Sequence, residues 1–359
     1  MNNTQEHVAG SSPAPCWAVE KPNLSISFSG GRTSGMMLAL CLRKFGDSHN
    51  IRIVFANTGC EHPATLDFVD RCDREIANGR IVWLEAEVDP IDGNGIRHRV
   101  VDYHTASRDG KPFNDAIAKY GIPNRTNPWC TGRLKTDVMN HYHSANGWMR
   151  GKRLNYTTAI GIRADERDRV SQNAESQGWV YPLIDMGITK GQVIEYWKRQ
   201  DFDLRIPGEH YGNCVWCWKK SLRKLMTIAK YTPQWFDFPS EMEYLYGSVK
   251  ADAACAKDGK RSFFDKYRSS EDIIKLAYGQ FREFIDMRQT SLLDFAFDPD
   301  LDAGGGCGES CEIGTDSADL EASLLPNSIV QRNDSADPIV TRNEPTVGDE
   351  GKRGSGVGE

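Results

Sequence analysis

The sequence predicts an α/β protein. Its core is a doubly wound, mostly parallel sheet flanked by helices, with a helical C-terminal portion and a disordered tail. Three observations predict it. Strand-length apolar runs alternate with helix-length amphipathic runs from residue 24 to residue 84. A glycine-rich turn, Ser29-Gly30-Gly31-Arg32-Thr33-Ser34-Gly35, joins the first strand to the first helix. The chain has 359 residues, 39% of them hydrophobic, which is enough for a substantial core.

The elements follow in order. Residues 1–22 read as a flexible lead-in. Leu24 to Phe28 alternates apolar residues with serine and forms the first strand. Gly35 to Phe45 has the apolar density of a buried helix. Ile51 to Ala56 is a buried strand ended by Asn57-Thr58-Gly59. Pro63 opens a helix carrying Leu66, Val69 and Ile76, and Ile81 to Leu84 is the next strand. From Asp89 to Trp129 the pattern loosens into loops, with a short helix near Asn114 to Lys119. Thr131 to His143 reads as helix, Leu154 to Ile160 and Trp179 to Ile184 as strands, and Thr189 caps a helix running to about Arg199. A basic helix starts near Lys219. Ser270 to Met287 shows a helical stripe of Ile273, Ile274, Leu276, Ala277, Phe281 and Ile285, read as core. The expected organisation is a nucleotide-binding α/β domain over 23–230, a helical extension over 231–298, and a Gly-rich acidic tail over 299–359.

Charge is unevenly placed. Residues 301–359 hold 12 acidic and 4 basic side chains, leaving 38 acidic and 40 basic in the rest. The body is near neutral, so bulk charge does not make it a nucleic-acid binder. The longest apolar run, Met36 to Leu42, is too short to span a bilayer. With no apolar run near the N-terminus, a cytoplasmic protein without membrane contact is expected.

The glycine-rich turn lies where such sheets place phosphates, at the carboxyl end of a strand. Gly30 and Gly31 let main-chain N–H groups approach an anion. Ser29, Thr33 and Ser34 add hydroxyls, and the helix N-terminus adds positive potential. The motif is neither a Walker P-loop nor a dinucleotide-binding G-x-G-x-x-G.

The ten cysteines are Cys16, Cys41, Cys60, Cys72, Cys130, Cys214, Cys217, Cys255, Cys307 and Cys311. Cys214-Val215-Trp216-Cys217 is a C-x-x-C pair whose sulfurs can converge on a metal or cluster. With His210 and Cys130 it offers a Cys₃His zinc set as the rival to iron–sulfur. Cys41, Cys72 and Cys255 fall in expected helices as core or surface thiols. Trp216, Trp218, Lys219, Lys220, Arg223 and Lys224 flank the pair, with Arg133, Lys135, Lys152 and Arg153 as further cations. They form either a platform for tRNA or DNA or a shielded cluster beside a solvated helix face.

The stretches SISFSGGRTSGMM and IVFANTGCEHPATLDFV resemble the PAPS reductase family of the adenine nucleotide alpha-hydrolase-like superfamily. The resemblance spans about residues 23–230. It implies an adenine nucleotide, ATP or PAPS/APS, bound by Ser29, Gly30, Gly31, Arg32, Thr33 and Ser34, with Asn57 and Thr58 beside the adenine. The family loop usually continues Lys-Asp-Ser. Here Arg32 keeps the positive charge and Thr33 loses the carboxylate, which bears on any Mg²⁺ role. Gly161 to Arg169 resembles the family's later Gly-x-Arg loop, so Arg163 and Arg169 are implied to clamp phosphate or sulfate. Trp129-Cys130-Thr131-Gly132-Arg133 resembles the iron–sulfur branch. There Cys130 joins Cys214 and Cys217 around a [4Fe–4S] cluster, with Cys60, Cys307, Cys311 or His210 as the fourth ligand. The resemblance implies an enzyme. The first reading is ATP-dependent sulfur transfer, with Cys60 as a sulfur carrier and Arg163 stabilising phosphate charge. Reduction of PAPS or APS with a thioredoxin-like donor, and an inactive binding module, are the alternatives.

Overall fold

The computed structural model describes residues 21–150, 153–286 and 301. The elements are β1 (Asn23–Ser27), α1 (Arg32–Phe45), β2 (Asn50–Asn57), α2 (Pro63–Cys72), β3 (Ile81–Val88), β4 (Ile96–Val101), α3 (Lys111–Tyr120), α4 (Asp137–Ala145), β5 (Met149–Arg150), β6 (Arg153–Leu154), β7 (Thr157–Ala159), β8 (Trp179–Val180), α5 (Pro182–Asp185), α6 (Lys190–Lys198), α7 (Leu222–Tyr231), α8 (Asp237–Tyr246) and α9 (Ser270–Ala277).

Six strands form one sheet in the order β4-β3-β2-β1-β7-β8. All neighbours are parallel except β3 and β4. The order departs from β1 in two directions, toward β2 and toward β7. Beside β1, at the carboxyl ends of β1 and β7, the order reverses, which is where open α/β sheets form their ligand crevice. Apolar side chains bury the sheet on both faces, as a parallel sheet requires. Ile26, Phe28, Val54 and Leu84 are fully buried.

The sequence reading and the structure differ at four places. The residues read as loop after Asp89 include β4, an edge strand in which Arg97, His98 and Arg99 break the apolar alternation. Charge on an edge strand blocks pairing with another chain, so this strand hides from hydropathy. The strand expected from Trp179 to Ile184 stops at Val180, because Pro182 starts a helical turn. The single strand expected over 154–160 is divided between β6 and β7. The helix expected over 270–287 ends at Ala277. Its stripe is core only in part: Ile273 and Ala277 are buried, while Leu276 is 41% exposed.

The residues after 230 pack on the body through aromatic rings. Trp216 stacks on Phe238 with centroids 5.5 Å apart and meets Phe263 at 4.8 Å. Phe113 of α3 joins the same cluster. The start of α9 is held by Glu243 of α8, whose carboxylate accepts from the N–H groups of Phe263 and Ser270, each at 2.9 Å. Burial pushes the Glu243 carboxyl up to about 7. A carboxyl raised in the folded state adds stability that is complete below its unfolded value and lost as pH rises through the folded one. Between pH 4.5 and about 7 this term is expected to cost about 2–3 kcal/mol. Thermal melts should show Glu243→Gln flattening that pH dependence. An unchanged slope would show that Glu243 does not titrate there.

Candidate active site

The turn after β1 is built around two close approaches. Gly30 has φ +81°, the left-handed region that favours glycine. A side chain there would also meet Thr65 Cγ2 at 2.9 Å. Gly35 leaves room for the indole of Trp197, since a Cβ would fall 2.7 Å from Trp197 Cζ2. Trp197 donates from Nε1 to the Arg32 carbonyl at 2.8 Å, fixing the first turn of α1. Gly31 is the N-cap and supplies no side-chain cap, so the N–H groups of that turn are aimed past the end of β1. The Ser29 and Ser34 hydroxyls meet at 2.8 Å across the loop.

The structure pairs the buried Arg32 with the exposed carboxylate of Asp203. Its guanidinium reaches both Asp203 oxygens, at 2.6 and 2.8 Å, and the Leu204 carbonyl at 2.5 Å. The partner lies 171 residues away, beyond the reach of any local pattern. Arg163, in the loop after β7, donates to Thr33 Oγ1 at 3.2 Å. That contact bridges the two walls of the crevice. Arg163 also pairs with Asp165 and Glu166, and Arg169 pairs with Glu166 at 2.7 Å. These two arginines therefore share one acidic partner.

At the carboxyl end of β2, next to β1, Asn57 turns toward the buried Glu85 at 2.7 Å and the Ser107 carbonyl at 2.9 Å. The following turn folds around Glu61. That carboxylate accepts from Thr58 N at 3.1 Å, Thr58 Oγ1 at 2.8 Å and Cys60 N at 3.2 Å. Cys214 arrives from 156 residues beyond Thr58. Glu61 and Cys214 pair as an isolated antiparallel bridge. Val215 N donates to the Cys60 carbonyl at 3.1 Å, and Thr58 Oγ1 lies 3.4 Å from Cys214 Sγ. Cys60 and Cys214 are both buried. Burial pushes the Cys60 thiol well above its ordinary range, with repulsion from Cys214, Glu61 and Asp109 adding to it. Burial and Glu61 push Cys214 up to about 12, opposed by Lys135.

The metal centre expected from the cysteines is not assembled among the described residues. Among the described residues, no three His, Cys, Asp or Glu side chains are placed to hold a metal ion. Cys130 is half-buried, and its charge couples to that of Cys214. The Cys214 sulfur faces Thr58, and the His210 ring packs against Tyr211 and Phe284. Cys41 and Cys72 are core thiols in helices, whereas Cys255 lies in a loop rather than a helix. Cys16, Cys307, Cys311 and Lys152 fall outside the described residues.

The aromatic and basic stretch also differs from both expectations. Trp216 and Trp218 are 2% and 6% exposed, too deep to stack on a nucleic-acid base. Lys220, Arg223 and Lys224 are buried rather than solvated. Lys220 donates to the carbonyls of Gly212 and Cys214, at 2.7 and 2.6 Å, and so shapes the C-x-x-C loop. Asp203, Glu61, Glu85 and Trp197 were missed as site residues. Only Glu61, adjacent to Cys60, carried a local signal.

The six-strand order, the glycine turn and the loop after β7 together define a doubly wound type of α/β protein. The chain belongs to the phosphoadenosine phosphosulfate reductase domain family, whose model matches residues 23–205. A curated relative, the "Uncharacterized nin region protein ORF290" of Escherichia phage lambda, is 33% identical over 301 residues, covering 80% of this chain and 94% of that protein. The solved phosphoadenylyl-sulfate (PAPS) reductase of Candida auris, a phosphate complex, aligns over 49% of this chain and 72% of that one. Its identity is 16% and its TM-score 0.32. No helix among the described residues is long and apolar enough to cross a membrane.

Proposed function

We propose that the chain is an enzyme that binds an adenine nucleotide in the β1–β7 crevice and transfers sulfur through Cys60 and Cys214. The observation that carries this is the adjacency of two features. The amide turn Gly31–Ser34 ends β1, and the thiols sit at the end of β2 beside it. The Thr33 to Ser34 N–H groups and the Arg163 guanidinium suit phosphate oxygens. Arg32 acts as a positioning residue, tying α1 to Asp203.

The first reading is ATP-dependent. A hydroxyl or carbonyl oxygen of the acceptor attacks the α-phosphorus, and pyrophosphate leaves with the bonding electron pair. A persulfide on Cys60, loaded by an external sulfur donor, then attacks the activated carbon and AMP departs. The Cys214 thiol attacks the Cys60 sulfur and its proton passes to the departing acceptor sulfur, releasing the acceptor as a thiol and leaving a Cys60–Cys214 disulfide. An external dithiol, such as a thioredoxin-like protein, returns both thiols with two electrons. The raised Cys60 thiol favours this reading. A thiol held neutral by burial is a poor nucleophile, whereas a persulfide on the same sulfur is more acidic and ionises more readily.

The family match favours a second reading, reduction of PAPS. A thiolate attacks the sulfate sulfur, the nucleotide 3′,5′-bisphosphate leaves, and the second thiol releases sulfite. Two assays separate the readings. Pyrophosphate release from ATP with Mg²⁺, dependent on a persulfide donor and an RNA or DNA acceptor, is expected under the first. Sulfite release from PAPS with a dithiol, and no pyrophosphate from ATP, would replace it with the second.

A further inference from the structure

Beyond the crevice, a cleft of about 480 Å³ opens beside the C-x-x-C loop, with His210, Tyr211, Tyr231, Thr232, Glu283 and Phe284 in its walls. Its size suits one nucleoside-sized ligand. The walls are aromatic. His210 meets Phe284 edge-on at 5.2 Å and Tyr211 at 4.7 Å. Tyr231, 60% exposed, forms a lip.

The polar groups are acceptors. Thr232 Oγ1 donates to the Ile228 carbonyl at 3.0 Å and so accepts the Tyr211 hydroxyl at 2.8 Å. This leaves Tyr211 an oxygen lone pair. The Glu283 carboxylate takes hydrogen bonds from Lys230 and Tyr231, and these hold it ionised. A carboxylate can only accept, so a ligand here must donate. His210 is 9% exposed, and its Nδ1 is buried with no partner among the described residues. Phe284 is fixed by its N–H, which donates to Thr227 Oγ1 at 2.9 Å.

We propose that this cleft binds a planar nitrogen heterocycle bearing an exocyclic amine, of the nucleobase class. The ring lies against the aromatic walls and the amine donates to Glu283. Tyr211 in the cleft wall packs on His62, two residues beyond Cys60, at 5.9 Å. Resting on the sulfur-transfer reading, the ligand's role is to present an acceptor base. Its binding does not depend on that reading.

The test is saturation-transfer NMR on the full chain with cytidine and uridine, without ATP or any sulfur donor. Cytidine, which carries the amine, is expected to bind about fivefold or more tighter than uridine. Phe284→Leu should weaken cytidine about tenfold, and Glu283→Gln should remove the preference for cytidine. Thermal melts confirm that both variants fold. Absence of cytidine transfer in the wild type, or transfer unchanged in both folded variants, overturns the site. If oligodeoxycytidylate binds about tenfold tighter than cytidine, the ligand is a base in a strand. Equal affinity assigns the site to a free nucleoside. Loss of pyrophosphate release with cytidine binding intact would overturn the sulfur-transfer reading alone.

Discussion

Cys60→Ser is expected to reduce sulfur transfer by about 100-fold or more while leaving nucleotide affinity within about twofold. The split follows from position. The phosphate cradle is main chain at the start of α1, and Cys60 lies on the next loop, contributing its carbonyl to Val215 and its N–H to Glu61. Serine keeps those main-chain bonds but cannot carry a persulfide. Cys214→Ser should instead allow one turnover and then stall, with the acceptor held as a mixed disulfide that mass spectrometry detects on Cys60. Full multiple-turnover activity in either variant would remove the thiol pair from the mechanism.

Trp197→Ala is expected to lower stability by about 4 kcal/mol. Trp197 is 1% exposed, and its ring packs on Phe68 at 4.8 Å and on Phe202 at 5.5 Å. Alanine leaves a cavity beneath Gly35 and also removes the indole hydrogen bond to the Arg32 carbonyl. The loss should therefore appear twice, as a lower midpoint in urea and as weaker nucleotide binding from a loosened first turn of α1. Trp197→Phe fills most of the cavity without the hydrogen bond. It should recover most of the stability and less of the affinity. A loss below about 1 kcal/mol for alanine would show that the site collapses freely around the gap.

Local signals carried the first half of the fold. The strand and helix periods of β1 to β3 and the glycine turn are written in neighbouring residues, and the structure follows them closely. Long-range pairings were not legible. Asp203 reaches Arg32 from 171 residues away, and nothing near residue 203 marks it as the partner of a phosphate loop. Spacing within Cys214-Val215-Trp216-Cys217 says that two sulfurs can converge. It does not say which way the loop faces, and here Cys214 is drawn to Thr58 and Glu61 instead. Lys220 reads as part of a solvated helix face because a lysine in a basic helical run is usually solvated, while Trp216 reads either as a stacking platform or as a shield. Their burial depends on Phe238, Phe263 and two carbonyls supplied by tertiary structure. Edge strand β4 was hidden by the charge that protects it.

Equilibrium titration of ATP into the wild type and into Gly31→Asp tests the crevice most directly. Gly31 has φ −97° and ψ 165°, which aspartate adopts without strain, and aspartate is a favoured N-cap, so the variant should melt no lower than the wild type. Its carboxylate would stand where the phosphates are expected to bind. Saturable wild-type binding, weakened about tenfold or more in the variant, is the expected result. Equal affinity in the two proteins, or no binding of ATP or PAPS by the wild type at millimolar concentration, would contradict the nucleotide site.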